Sequence, residues 1–448
     1  MSKTNVAALD IPYPTMIKTC HPIFLFVIMG ALIAVVGFYQ SWSIALAILQ
    51  LCLISSIMAL GVNIQWGYAG LFNAGIMGFA ALGGLAAVLV SVPPVKEAWA
   101  AGGVNIVLAA VSGLATIGAV LFVRARIERP FRILAITPII IIGFLVVRWF
   151  FDPAVEAIEG YNAAHYGFLG GAGLPIMFSW ILGGAFAAGA AWLVGKTVLR
   201  LRSDYLAIAT LGISEIVIAV LKNEDWLARG VKNVTGLPRP VPYEVNLQKV
   251  QWFLDLTANL GADAVSASSI FVKICYIFLF LLVLAALMWL ANTALASPWG
   301  RMMRAIRDNR DAAEAMGKDV TSRHLQVFIL GSVVVGIAGA MLTTLEGQFT
   351  PGSYQPLRFT FLIWVMVIVG GSGNNWGAVL GGFIIWFIWI EAEPVSLWLM
   401  GFATSSLDTD SPIRNHLIES APHFRLFLMG AILLLVLRFR PRGLIPEE

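Results

Sequence analysis

Charge is the first thing this sequence is short of. Asp, Glu, Lys and Arg make up 12% of its 448 residues, about half the share usual in a soluble domain, which argues against a water-soluble globule and against a nucleic-acid-binding surface. Cysteine is scarce as well. Cys20, Cys52 and Cys275 stand far apart without CxxC or metal spacing, so neither a disulfide framework nor a zinc site is suggested. The histidines at 21, 165, 324, 416 and 423 are equally scattered, and no nucleophile stands with a base and an orienting group. A membrane enzyme would show paired ionisable residues inside its apolar runs, and here they are few. The expectation is a chain with no catalytic residue and no metal site.

What is present is apolar surface. Hydrophobic residues account for 59% of the chain, with 15 tryptophans, more than a soluble fold of this size could hide. Runs long enough to cross about 30 Å of hydrocarbon recur throughout, so helices and not a barrel are expected. The fold class read here is an all-α polytopic membrane protein of about ten transmembrane helices, nine to twelve, some of them discontinuous. Candidate spans are 22–39, 42–61, 75–91, 104–123, 133–151, 174–195, 204–222, 270–290, 327–346, a Gly-interrupted pair at 359–371 and 376–392, and 423–437. Residues 1–21, with Lys3, Asp10 and Lys18, read as a cytoplasmic N-terminal segment; the run from Pro22 lacks a cleavage pattern and reads as a retained span. Residues 22–448 form the transmembrane domain.

Loop charge alternates along these spans. Arg124, Arg126, Arg129 and Arg132 fill one turn, Lys196, Arg200 and Arg202 another, and Arg438, Arg440 and Arg442 follow the last span. All fall on one side if both termini are cytoplasmic, as the positive-inside rule requires. The other side receives Asp152, Glu156 and Glu159, the long loop 223–269, and residues 394–422.

Small residues recur every fourth position at Gly70, Ala74 and Gly78 and at Ser332, Gly336 and Ala340. Each set is expected to line one helix face and admit a close neighbour, a reading preferred over ligand contact. Two stretches interrupt the apolar pattern: Asn63-Ile64-Gln65-Trp66-Gly67-Tyr68-Ala69-Gly70 and Gly370-Gly371-Ser372-Gly373-Asn374-Asn375-Trp376-Gly377. Irregular backbone at membrane depth is tolerated only where it is buried in protein or lines a wet cavity, and a broken helix points to a transport path. Asn63, Trp66, Asn73, Gly371, Gly373 and Asn374 are therefore candidate path residues. Glu215, beside Thr210 and Ser214 in an apolar run, joins them; hydrogen bonding of Glu215 to a neighbouring helix near the outer end is the equally weighted alternative. Two nucleotide motifs fail. Ala190 stands where a phosphate loop ending in Lys196-Thr197 needs glycine, and Trp376 replaces the third glycine after Gly371 and Gly373.

One charged island stands out, Ser297 to His324. Its spacing predicts one helix over 298–316, capped by Ser297, with Pro298 in the first turn and Gly317 just past the end. Arg304–Asp308, Arg307–Asp311 and Arg310–Glu314 pairs are expected at i,i+4, worth only about 0.2–0.5 kcal/mol each. Met302, Met303, Ile306, Ala313 and Met316 give it an apolar side. A docking element for another protein is slightly favoured over a helix lying on anionic lipid.

Asp311-Ala312-Ala313-x-x-x-Gly317 resembles the EAA-x-x-x-G signature of bacterial ABC importer permeases, with Asp for the leading Glu. The run Leu201 to Ile216, Ser297-Pro298-Trp299-Gly300-Arg301, Val369-Gly370-Gly371-Ser372-Gly373 and Arg440-Pro441-Arg442-Gly443-Leu444-Ile445-Pro446 resemble, in order, the branched-chain amino-acid permease family of LivM type, from roughly Ala59 onward. The resemblance implies a coupling-helix loop at 297–326. In it Arg304, Arg307, Asp308, Arg310, Asp311, Ala312, Ala313, Glu314 and Gly317 meet an ATPase subunit. It also implies a sister permease in a heterodimer, two ABC ATPases that use the ATP, a periplasmic substrate-binding protein and a place in the bacterial inner membrane. This chain itself would bind no cofactor and no nucleic acid. Branched-chain or other apolar amino acids are the implied cargo; urea, short amides or small carboxylates are alternatives within the class, and a self-sufficient channel or secondary transporter lies outside it. The sequence departs from the family at Ala228 to Gly236, where a TGGPNG-like run is usual, at Gly67 to Ile76, which lacks a histidine, and at the extra apolar region 104–151.

Overall fold

The computed structural model of the protein describes residues 22–162, 166–259, 261–405 and 411–447. Lys3, Asp10, Lys18, Cys20, His21 and His165 lie outside the described residues. The chain is helical almost throughout, with a single two-stranded ribbon among the described residues. In chain order the main helices are α1 (Pro22–Tyr39), α2 (Trp42–Val62, extended by a wide turn Asn63–Gly67), α3 (Ile76–Ser91), α4 (Val104–Arg126), α5 (Arg129–Gly160), α6 (Met177–Val198), α7 (Ser203–Asn223), α8 (Ala264–Ala296), α9 (Pro298–Asp308), α10 (Arg310–Ala315), α11 (Val320–Glu346), α12 (Pro356–Gly370), α13 (Asn375–Ala403), α14 (Pro412–Ser420) and α15 (Phe424–Phe439). Among the described residues, ten helical stretches are long and apolar enough to cross a membrane. Two more, α3 and α12, are apolar but have 16 and 15 residues, which at 1.5 Å per residue falls short of the hydrocarbon thickness.

The core is α2, α3, α6, α11, α12 and α13, and glycine sets how closely they pack. A Cβ on Gly83 of α3 would overlap the Gly336 carbonyl of α11, and one on Gly336 would press on Gly183 of α6, so three backbones meet at three glycines. The expected small face around Gly336 is thus used for packing, as is Ser332, which accepts a hydrogen bond from Gln65 Nε2 at 3.1 Å. The spacing Gly70, Ala74, Gly78 does not form a helix face. Gly70 takes φ +67° and ends the helix, residues 71–75 are non-helical, and only Gly78 lies on α3, where it backs onto Ser214. A fourfold spacing marks a face only where the chain is helical, and left-handed glycine stops a helix.

The glycine run 370–377 also differs from the discontinuous crossing expected of it. Gly370 packs on Gly377 and Gly381 on Met366, so α12 and α13 form a tight antiparallel hairpin turning at 371–374. A Cβ at Gly381 would overlap the Met366 carbonyl, which is why the pair needs glycine there. Two edges define the molecule's faces. One gathers α9, α10, the 371–374 turn and the C-terminal tail. The other carries the 224–263 loop, whose strand β1 (Val234–Thr235) pairs antiparallel with β2 (Gln348–Phe349).

α4 and α5 form a separate hairpin on the flank, lying against each other where Gly143 meets Thr116. Among the described residues its ties to the bundle lie at the ribbon-side end: the Trp226 backbone N–H donates to Glu159 at 3.1 Å and Phe151 meets Trp226 edge-on at 5.6 Å, while Gly102, just before α4, packs on Ala154 and Ile158 of α5.

Candidate functional site

The charged island folds as two helices, not one. Asn309 adopts an extended conformation (φ −154°, ψ 98°) between α9 and α10, and its side chain caps α10 by accepting from the Ala312 N–H at 2.9 Å. Pro298 and Gly317 occupy their expected places, Gly317 at φ +75°. Ser297 stands at the cap position of α9, but its hydroxyl donates back to the Ala294 carbonyl at 2.6 Å instead of accepting from the helix. Of the expected pairs only Arg310–Glu314 forms, at 3.0 Å and exposed, so it contributes little. The break at Asn309 puts α9 and α10 out of register, and Arg307 turns away from Asp311. Met303, Ile306 and Ala313 are buried as expected, Met302 is half-buried, and Met316 is 79% exposed beyond the packed side.

Arg307 points inward. Its guanidinium donates to the Gly67 carbonyl at the end of the α2 turn and to Glu447 at 2.8 Å, and it pairs with Asp308 at 3.1 Å. Partial burial disfavours its charge, but the hydrogen bonds to Glu447 and Asp308 outweigh that and hold its pKa above the ordinary value. Asp308, Asp311, Ala312, Glu314 and Gly317 face solvent, while Arg304 is half-buried and lines the cleft beside α9 with Arg301, Ser372 and Arg442. The island therefore has an inner side fixed to the bundle and an outer side without a protein contact among the described residues.

Behind Arg307 lies a network of amides, buried at Asn63, Gln65, Asn73 and Asn375. Asn63 accepts from the Gly373 N–H at 2.9 Å and donates to Asn375 at 3.0 Å, which in turn donates to Asn292 of α8 at 2.7 Å. Asn374 caps α13 through the Trp376 N–H at 2.9 Å and donates to the Pro446 carbonyl at 3.2 Å. Gly371 (φ +120°) packs against Gly443 and Ile445, whose N–H donates to the Gly370 carbonyl at 2.9 Å. Deeper in, Gln65 donates to the Phe328 carbonyl and accepts from Asn73 at 2.9 Å, and Asn73 accepts from the Gly75 N–H at 2.8 Å. The non-helical 71–75 segment is held further by the Ala74 N–H on Thr210 at 3.0 Å and by the Trp364 indole on the Asn73 carbonyl at 3.1 Å. Backbone that leaves a helix in hydrocarbon must find such partners. Trp66 and Phe72 close over Trp364, at 4.6 and 4.3 Å between ring centroids.

Six of the candidate path residues are thus drawn together: Asn63, Gly371, Gly373 and Asn374 at the α9 face, with Trp66 and Asn73 one layer deeper. Glu215 is not among them. Thr210 and Ser214 bury against the start of α3, which turns Glu215 to the opposite, exposed side of α7. There it lines a cavity of about 950 Å³ with Lys222, Arg358, Trp389, His423 and Arg425. Four contributors escaped sequence reading: Gln65, Asn292, Asn375 and Glu447. The first three carried a signal, an amide within an apolar run; Glu447 carried none.

The family model describing a branched-chain amino acid transport system permease component matches residues 157–437. The high-affinity branched-chain amino acid transport system permease protein LivM of Salmonella typhimurium is 25% identical over 270 residues, 59% of this chain and 56% of that protein. LivM of Escherichia coli is 24% identical with the same coverage. The fructose import permease protein FrcC of Rhizobium meliloti is 24% identical over 234 residues, 51% of this chain and 58% of its own. The chain thus spans a little over half the length of these two LivM relatives. No solved structure matches. With ten helical stretches among the described residues long and apolar enough to cross a membrane, and a family match over more than half its length, the chain belongs to the family of branched-chain amino acid transport system permease components.

Proposed function

We propose that the protein is the integral-membrane permease subunit of an ATP-driven ABC importer and forms the translocation path for branched-chain or other apolar amino acids. The observation that carries this reading is the two-sided island: Met303, Ile306 and Arg307 of α9 are fixed to the bundle, while Asp311, Ala312, Glu314 and Met316 are exposed on the same edge. A helix so arranged can accept a push from outside and deliver it to the Gly67 turn, where α2 ends and the irregular 70–75 segment begins. The partners are a sister permease, two ABC ATPases that bind and hydrolyse the ATP, and a periplasmic binding protein that hands over the substrate. The membrane is the bacterial inner membrane, with the α9 edge and both termini cytoplasmic.

In this reading Asn63, Trp66, Asn73, Gly371, Gly373 and Asn374 form the inner closure of the path and Glu215 lines its outer vestibule. An amide network that satisfies its own groups keeps the irregular chain watertight at rest. Displacing Arg307 from Gly67 exchanges those partners and opens it. Reconstitution tests the proposal. Uptake of leucine should require ATP, both ATPases and the binding protein; ion-driven uptake by this chain alone in liposomes would reject the importer in favour of a secondary transporter.

A further inference from the structure

Residues 443–447, beyond α15, are held along their whole length. Gly443 takes φ +80° and lies so close to Gly371 that a Cβ there would strike the Gly371 backbone. The next two N–H groups, of Leu444 and Ile445, donate to the carbonyls of Val369 and Gly370, each at 2.9 Å. Val369 and Gly370 are the last two residues of α12, and the final carbonyls of a helix have no partner within it, so this segment supplies what α12 lacks. Ile445 is buried, and the Pro446 carbonyl accepts from Asn374 at 3.2 Å. Glu447 then lies against Gly373 and meets Arg307 of α9 at 2.8 Å. The segment is a strap: one end continues α15, the middle clamps the α12–α13 turn, and the far end grips α9.

One guanidinium thus makes two long-range contacts that lead to different places. Through the Gly67 carbonyl it reaches the end of the α2 turn and the amide network behind it. Through Glu447 it reaches α12, α13 and α15, which contribute Leu362, Trp389 and Met429 to the wall of the 950 Å³ cavity that holds Glu215. Asp308, the other carboxylate on Arg307, belongs to α9 itself and is 67% exposed, so it offsets charge without joining one element to another. Arg307 and Glu447 are 23% and 28% exposed, which leaves their pair less open to screening. We infer that Glu447 is a positioning residue for transport: through the strap, α12, α13 and α15 follow α9, so that one displacement of Arg307 acts on the inner closure and on the outer vestibule together. The inference rests on the importer reading above and adds to it that the drive from α9 reaches both ends of the path. Coupling through a shared residue is read as non-additivity between its arms, which contact alone does not establish.

The test uses the full complex in proteoliposomes, with ATP hydrolysis and leucine uptake measured on one preparation and the thermal midpoint of each purified chain reporting its folding. Glu447→Ala should leave hydrolysis near the wild-type rate and lower uptake per ATP about two- to fivefold, the scale of a half-exposed ion pair. Glu447→Gln, whose amide oxygen can still accept from Arg307, should recover part of that loss. Arg307→Ala has already lost both arms, so adding Glu447→Ala to it should lower uptake no further. Gly443→Ala, which unseats the other end of the strap and leaves both charges in place, should lower uptake per ATP as Glu447→Ala does. Wild-type uptake per ATP in folded Glu447→Ala would overturn the strap and leave the importer reading standing. Equal losses of hydrolysis and uptake would overturn it too, by placing Glu447 in the docking of the ATPases. Leucine uptake by the wild-type chain without ATP would overturn both readings.

Discussion

Two regions of this molecule are equally apolar and differ in almost everything else. The stretch Trp42–Gly67 in the centre and the α4–α5 hairpin on the flank are both long and hydrophobic enough to cross a membrane. Yet 72% of the central stretch's apolar window is buried in protein, against 6% and 0% in the two hairpin helices. The difference lies in the minority residues. α2 and its turn carry Gln50, Ser55, Ser56, Asn63 and Gln65, and each of Gln50, Ser56, Asn63 and Gln65 hydrogen-bonds to a distant part of the chain. Lipid offers no such partners, so a helix with amides must sit among other helices. Residues 138–151 of α5 carry no amide or hydroxyl side chain, and lipid suffices. Small and polar side chains alone do not send a helix to the centre, since Ser112 and Thr116 of α4 bond back to their own helix; those of α2 and its turn that bond to other parts of the chain mark the central stretch.

The same contrast orders the expected effects of substitution. Gly336→Leu, at the meeting of α3, α6 and α11, should have the largest effect: overpacking a close contact costs about 1–3 kcal/mol where side chains can shift and more where, as here, backbone is the obstacle. The variant should fail to yield folded protein by fluorescence-detected gel filtration, whereas Gly118→Leu on the hairpin, where nothing lies within 4 Å of a new Cβ, should yield normally. Asn63→Leu comes next. It strips the Gly373 N–H and the Asn375 carbonyl of their buried partner, at a cost of about 1–3 kcal/mol, seen as a lowered thermal midpoint; Thr137→Leu, on the lipid side of α5, should leave the midpoint where it is. Smallest of all should be replacement of residues 104–151 by a short Gly-Ser linker. The bundle should keep its thermal midpoint, because the described ties of the hairpin to the bundle, at Glu159 and Phe151, lie at its ribbon-side end; loss of the folded bundle would show that the hairpin supports it.

The sequence made the central architecture legible where chemistry leaves a single solution. Apolar runs of spanning length can only be helices, and Gly336 in a small-residue series marks a close crossing. It was less legible where a local pattern has two outcomes. Gly70, Ala74 and Gly78 have helical spacing, but only Gly78 is in a helix, because Gly70 in the left-handed region ends the preceding one. The charged island has helical charge spacing throughout, but Asn309 can cap as well as continue a helix, and it caps. Glu447 shows the outer limit of sequence reading: its ion pair with Arg307 spans 140 residues and depends on how the tail folds over the 371–374 turn. The hairpin follows the same logic in reverse. Its apolar excess at 104–151 stood out as additional material, and the family match begins at residue 157, just beyond it.

The central claim is that movement enters at α9 and reaches the broken crossing through Arg307. It is tested most directly by measuring ATP hydrolysis and leucine uptake together in the reconstituted complex carrying Arg307→Ala. The inward-facing Arg307 has no part in the exposed Asp311–Glu314 surface, so the ATPases should still bind and hydrolyse ATP at a rate near that of the wild type, while uptake falls about tenfold or more. Uptake that keeps its wild-type ratio to hydrolysis in this variant would contradict the claim.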